Sequence, residues 1–206
     1  MYKGDPLDIE RRSMEIIDEH VKDTSFNEKE LLVVKRMIHT TGDFNYKDIA
    51  AFKGNAIEMG IELFKRGCSI FTDTRMAYSG INKKALEKAG CTINCLIDDE
   101  RVLKKSKELN TTRSSAAIDI ASEDGIDIYV IGNAPTALFR IGELMEEGKI
   151  KPALVIGVPV GFVGAAESKE YLRGLNVPSI STVGNKGGSN VAASVVNAIL
   201  YMAVER

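Results

Sequence analysis

The densest group of chemically able residues in the chain is Arg36-Met-Ile-His-Thr-Thr-Gly-Asp43. It holds one of the 2 histidines, with hydroxyls and a carboxylate directly after it. Residues 28–38 read as a helix with one apolar face. Gly42 stands where that helix ends, because glycine enters the left-handed C′ position without strain. His39 then falls in the last turn, where the carbonyl end of the helix dipole favours an imidazolium. Flanked by Thr40, Thr41 and Asp43, such a group suits a general acid. The same placement also serves a histidine that only caps its helix. His20, after Asp18 and Glu19, reads as a solvated surface histidine.

A second group is Gly184-Asn-Lys-Gly-Gly-Ser189. Its glycines let backbone N–H groups converge ahead of a helix, and Lys186 adds a charge, so the loop suits a phosphate or a carboxylate. It is not the phosphate-loop pattern, which needs Ser or Thr directly after the lysine. A glycine-rich turn packed closely on a sheet is the other reading. Arg75 and Arg113 can grip carboxylates in a bidentate fork, or can pair with neighbouring acids. Gly157-Val-Pro-Val-Gly-Phe-Val-Gly164 has the wrong spacing for a dinucleotide loop, and Pro159 obstructs the usual turn. Its Val160, Phe162 and Val163 suit a pocket for a large flat ligand, or a partner subunit. No Gly-x-Ser-x-Gly elbow is present, and no Asp-x-His-x-x-Gly motif of a corrinoid carrier.

These groups need a scaffold. Pro6 suits the first turn of an opening helix, Asn27 the cap of the next, and a third helix spans residues 55–66. After Gly67, β-rich segments recur: Ser69-Ile-Phe-Thr-Asp73, Cys91-Thr-Ile-Asn-Cys-Leu-Ile-Asp98, Ile126-Asp-Ile-Tyr-Val-Ile-Gly132, Ala153-Leu-Val-Ile-Gly157 and Pro178-Ser-Ile-Ser-Thr-Val-Gly184. Helical stretches at 83–89, 114–122, 137–147, 165–173 and 190–204 separate or follow them. Strands alternating with helices imply a parallel sheet, and strands apolar on both faces imply helices on both sides. The expected fold is α/β: a flavodoxin-like three-layer sandwich with a five-stranded parallel sheet. One domain spans 1–206, helical over 1–66 and built of βα repeats over 67–206. Ligands of such sheets sit beyond the carboxyl ends of the strands, where the groups above fall.

Composition narrows the class. With a formal net charge of -2, the chain is no phosphate-driven nucleic-acid binder. No apolar run approaches the roughly 18 residues of a membrane span, and Met1-Tyr-Lys-Gly-Asp5 lacks the apolar core of a signal peptide, so a cytoplasmic protein is expected. The 3 cysteines read as reduced small hydrophobes. Cys91 and Cys95 are expected on one face of a strand, and with no histidine at ligand spacing no metal site is expected.

Arg36-Met-Ile-His-Thr-Thr-Gly-Asp43, Thr112-Arg-Ser-Ser-Ala-Ala117, Asn133-Ala-Pro-Thr-Ala-Leu138, Pro159-Val-Gly-Phe-Val-Gly-Ala-Ala-Glu-Ser-Lys169 and Gly184-Asn-Lys-Gly-Gly-Ser189, in this order, resemble the precorrin-8X methylmutase family of cobalamin biosynthesis. The likeness covers nearly the whole chain, including Arg12-Ser13. It departs at Asn185, where the family usually has arginine, which leaves the last loop one positive charge lighter. The resemblance implies a homodimer with active sites at the subunit interface. It implies an isomerase that moves a methyl group from C-11 to C-12 of a contracted tetrapyrrole, with no external methyl donor and no cofactor. The family's catalytic histidine falls on His39, and a substrate-contacting serine on Ser13. Arg75, Arg113, Lys186 and the amides of Gly187, Gly188 and Ser189 would hold acetate and propionate arms. Met76 would face the ring, and Thr40, Ser114 and Asn133 complete the expected contacts. A non-catalytic tetrapyrrole carrier and a nucleotide-dependent enzyme on the same scaffold are the alternatives.

Overall fold

The computed structural model describes residues 5–204. The reading of Met1–Gly4 as no leader lies outside these residues. In chain order the elements are α1 (Pro6–His20), α2 (Glu28–Thr41), α3 (Tyr46–Ile49), β1 (Ala50–Lys53), α4 (Ala56–Arg66), β2 (Ser69–Thr72), α5 (Arg75–Gly80), α6 (Lys83–Lys88) and β3 (Thr92–Asn94). They continue with α7 (Glu100–Glu108), α8 (Arg113–Ala121), β4 (Ile128–Ile131), α9 (Pro135–Glu146), β5 (Leu154–Gly157), α10 (Ala165–Gly174), β6 (Ser179–Thr182) and α11 (Ser189–Ala203).

The sheet is six-stranded, in the order β1-β6-β5-β4-β2-β3. This corrects the expected five-stranded, all-parallel sheet. The extra strand β1 lies inside the part expected to be helical and pairs antiparallel with β6, Phe52 opposite Ile180. It is an edge strand of 4 half-buried residues, so it shows no core-strand pattern, and its pairing partner is remote in sequence. The other five strands are mutually parallel.

Two helices beyond those expected form, and one strand shortens. The segment after β2 winds into α5 because Thr74 caps it, its Oγ1 accepting from Ala77 N–H at 3.1 Å. The segment after β3 winds into α7 because Asp99 accepts from Arg101 N–H at 2.8 Å. The strand expected over 91–98 shrinks to Thr92–Asn94. Cys91 and Cys95 therefore flank the strand instead of sharing its face, and Cys91 Sγ lies 3.5 Å from Cys68 Sγ.

Two apolar layers sandwich the sheet. Ile70, Ile128, Val130, Leu154, Ile156 and Ile180 face one side, packed by α4 and α11, and α2 packs in turn on α11. Phe71, Tyr129, Ile131 and Val155 face the other, packed by α8, α9 and α10. β4 and β5 are buried along their whole length, as parallel strands covered on both faces must be. The strand order reverses around β2, which lies between β3 and β4. That crevice at the carboxyl edge is where α/β sheets take their ligands.

Candidate active site

The helix that carries His39 is built as its sequence dictates. Asn27 caps α2, accepting from Lys29 and Glu30 N–H, while the Glu30 side chain accepts from Asn27 N–H. Gly42 closes it at φ 65°, donating to Ile38 O at 2.8 Å. Val33, Val34, Met37 and Ile38 are buried, which turns Arg36, His39 and Thr40 outward.

His39 stands on a ridge between two depressions. One, of about 280 Å³, runs between α2 and α11 and is lined by Arg36, His39, Thr40, Gly80, Asn190, Ser194, Asn197 and Tyr201 among others. The other, of about 270 Å³, lies between α1 and α2 and is lined by Ser13, Ile16, Ile17, Ile38, His39, Gly42 and Phe44. Ser13 Oγ donates to Ile9 O at 2.8 Å. His20 is exposed but not free: its ring stacks on Phe44, centroids 3.9 Å apart, at the edge of the second depression. The sequence reading did not single out Arg36, which sits one turn before His39 on the same face and pairs with Glu10 at 3.2 Å. Its i, i+3 spacing from His39 was the available signal.

The carboxyl edge of the sheet adjoins this ridge. Lys186 Nζ donates to Asp43 Oδ2 at 2.5 Å, tying the last loop to the turn that ends α2. The Lys186 ammonium holds the Asp43 carboxyl below its ordinary range. Thr74 and Ser189 share a hydrogen bond of 2.8 Å between their hydroxyls, which joins the start of α5 to the start of α11. Asp73, at the end of β2, is buried and accepts from Gly132 N–H at 3.0 Å, Asn133 N–H at 2.8 Å and Ala134 N–H at 2.9 Å. Burial pushes its pKa up, and these N–H bonds oppose the shift. Asp73 thus clamps the β4–α9 turn across the crevice and sets where Asn133 stands, a role the sequence alone did not reveal.

Gly187 is packed as tightly as backbone allows: a Cβ there would lie 2.0 Å from Val158 O. Gly188 N–H donates to that same carbonyl at 2.8 Å, so it is engaged within the protein. Arg75 pairs with Asp98 at 3.1 Å on the surface, whereas Arg113 has no hydrogen-bond or ion-pair partner among the described residues. Met76 is 63% exposed, and Phe162 and Val163 are 92% and 90% exposed.

Ser13, His39 and Thr40 therefore gather at the α1–α2–α11 ridge, and Lys186 reaches it through Asp43. Asn133 stands at the crevice, since Gly132 beside it packs against Ser189. Arg113 and Ser114 open α8, in the opposite helical layer, where Thr112 Oγ1 lies 2.8 Å from Thr136 Oγ1.

Comparison with known proteins gives this arrangement a family. The model of the precorrin-8X methylmutase family matches residues 8–202. A cobalt-precorrin-8 methylmutase of Leptospira interrogans is 44% identical, covering 96% of this chain and 94% of its own. One of Salmonella typhimurium is also 44% identical, covering 97% of each chain. A solved structure described as precorrin-8X methylmutase from Thermus thermophilus superposes with a TM-score of 0.88 at 38% identity, covering 95% of both chains. The chain belongs to the precorrin-8X methylmutase family.

Proposed function

We propose that the protein is an isomerase of cobalamin biosynthesis that moves a methyl group from C-11 to C-12 of cobalt-precorrin-8, giving cobyrinic acid. The cobalt-bearing substrate is preferred over metal-free precorrin-8X, which would give hydrogenobyrinic acid, because both curated relatives above carry the cobalt-precorrin name. The observation that carries the chemistry is the position of His39, the exposed histidine shared by two depressions. Its imidazolium donates a proton to a ring nitrogen or a neighbouring carbon. The ring loses the electron density that resists migration, the methyl group shifts, and the proton is returned, so substrate and product are isomers. One positioned acid contributes roughly 10²–10⁴-fold.

The other residues bind and orient. Arg113, without a side-chain partner among the described residues, takes a carboxylate arm. Arg75 and Lys186 exchange Asp98 and Asp43 for further arms, and Ser13, Thr40, Ser114, Asn133 and the Ser189 amide add polar contacts. Met76, Val160, Phe162 and Val163 offer apolar surface to the flat ring or to a second subunit. A homodimer in the cytoplasm, with each site completed by the partner subunit, accounts for two features at once: side chains as apolar and exposed as Phe162 and Val163, and the separation of Arg113 from the His39 ridge. The five parallel strands, in the order β3-β2-β4-β5-β6, support a flavodoxin-like scaffold with β1 added at one edge.

Incubating the purified protein with cobalt-precorrin-8 and with precorrin-8X, without methyl donor or nucleotide, tests the reading. Spectral conversion in a single turnover is expected, faster with the cobalt substrate. Tight binding without conversion of either would make the protein a carrier.

A further inference from the structure

Lys169, on α10, is fully buried and has no carboxylate partner among the described residues. Its ammonium donates to Thr182 Oγ1 at 3.1 Å and to Lys186 O at 2.8 Å. Thr182 Oγ1 in turn donates to Lys186 O at 2.6 Å, so one carbonyl of the last loop receives two donors from below. Burial, with Arg173 nearby, pulls the Lys169 pKa down to about 8. A buried cation with no carboxylate beside it costs folding free energy, and both bonds that offset the cost converge on the Lys186 carbonyl, one directly and one through Thr182.

The neighbouring carbonyls are tied as well. Asn185 O accepts from Gly161 N–H at 3.1 Å, and Gly187 O accepts from the Tyr46 hydroxyl at 3.5 Å. Three successive carbonyls are thus turned into the protein. The N–H groups of Lys186, Gly187 and Ser189 have no acceptor among the described residues.

We propose that Lys169 is a positioning residue: by fixing the Lys186 carbonyl it holds the 184–189 loop with its free N–H groups and the Lys186 side chain presented to the carboxylate arms of the substrate. This rests on the methyl-shift reading above. Lys169 touches no substrate itself, and its effect falls on binding, not on the proton-transfer step at His39.

The test is Lys169→Met, with Thr182→Val and Thr182→Ser as a second pair. Lys169→Met should fold with an unreduced melting temperature, because a buried charge is removed. Its KM should rise about tenfold, the worth of one lost charge-assisted bond, with kcat within about threefold and product affinity falling in step. Thr182→Val should shift KM in the same direction, and Thr182→Ser, which keeps the hydroxyl, should restore it. Unchanged KM and product affinity in Lys169→Met would overturn the proposal. If that variant does not fold, unchanged KM in Thr182→Val would overturn it equally. Should the parent turn over neither substrate, the methyl-shift reading fails by itself. Amide hydrogen exchange of the 184–189 loop then decides: faster exchange in Lys169→Met supports the anchor, and unchanged exchange refutes it.

Discussion

Lys186 and Asp43 meet at 2.5 Å, and through them the loop after β6 is tied to the turn that closes the His39 helix. The lysine expected to cradle an anion therefore already has a carboxylate, and an arm of the ligand must compete for it. Arg113 has no such competitor among the described residues. Arg113→Ala should accordingly raise KM by about tenfold or more and leave kcat nearly alone, as for a group that grips ground and transition states equally. Lys186→Met should raise KM less. Steady-state kinetics and product titration of both variants check the order, and a larger loss at Lys186 would contradict it.

Phe162 and Val163 are the most exposed large apolar side chains of the described residues. If a second copy covers them, sedimentation equilibrium of the parent should give a dimer at micromolar concentration. Phe162→Ala should weaken that dimer by about 2 kcal/mol or more, as for a buried interface aromatic. A parent that is monomeric throughout this range would remove the dimer from the account.

Lys169 makes stability depend on pH in a definite direction. Its folded-state pKa of about 8 lies below the ordinary 10.5, so the unfolded chain binds more protons between these values. Stability from this group therefore rises with pH across that window. Arg173 is the charged neighbour on its own helix. The facing β6 residues Ser181 and Thr182 do not titrate, and the Lys186 ammonium is turned toward Asp43. Denaturant melts at pH 7.5 and 9.5 should show the parent gaining on Lys169→Met as pH rises. Parallel behaviour of the two would contradict the shift.

No phosphate-loop or dinucleotide pattern occurs in the loops at the carboxyl edge. Product affinity, measured by titration, should be the same with and without NAD or ATP. A nucleotide-dependent gain would revive the nucleotide-enzyme alternative.

The readable parts of this molecule were those fixed by local rules. Asn27, Glu30 and Gly42 mark both ends of α2, so His39 could be put in its last turn from sequence. Apolar runs between glycines marked four of the parallel strands closely, with β3 shorter than expected. The hidden parts depend on contacts remote in sequence. β1 exists because Ala50–Lys53 finds β6. Asp73 matters through backbone groups of residues 132–134, and Lys169 through a carbonyl 17 positions away. Neither the acid nor the lysine carries a spacing that announces such a partner. The ion pair of Arg36 with Glu10 and the Lys186–Asp43 tie were missed for the same reason.

The kcat of His39→Ala, measured beside its product affinity, tests most directly whether His39 is the proton donor. If the arms and ring face supply most of the binding, as proposed above, the variant should fold and keep product affinity within a few-fold. Its kcat should fall by roughly 10²–10⁴-fold. Near-normal turnover would reduce His39 to a helix cap and contradict the account.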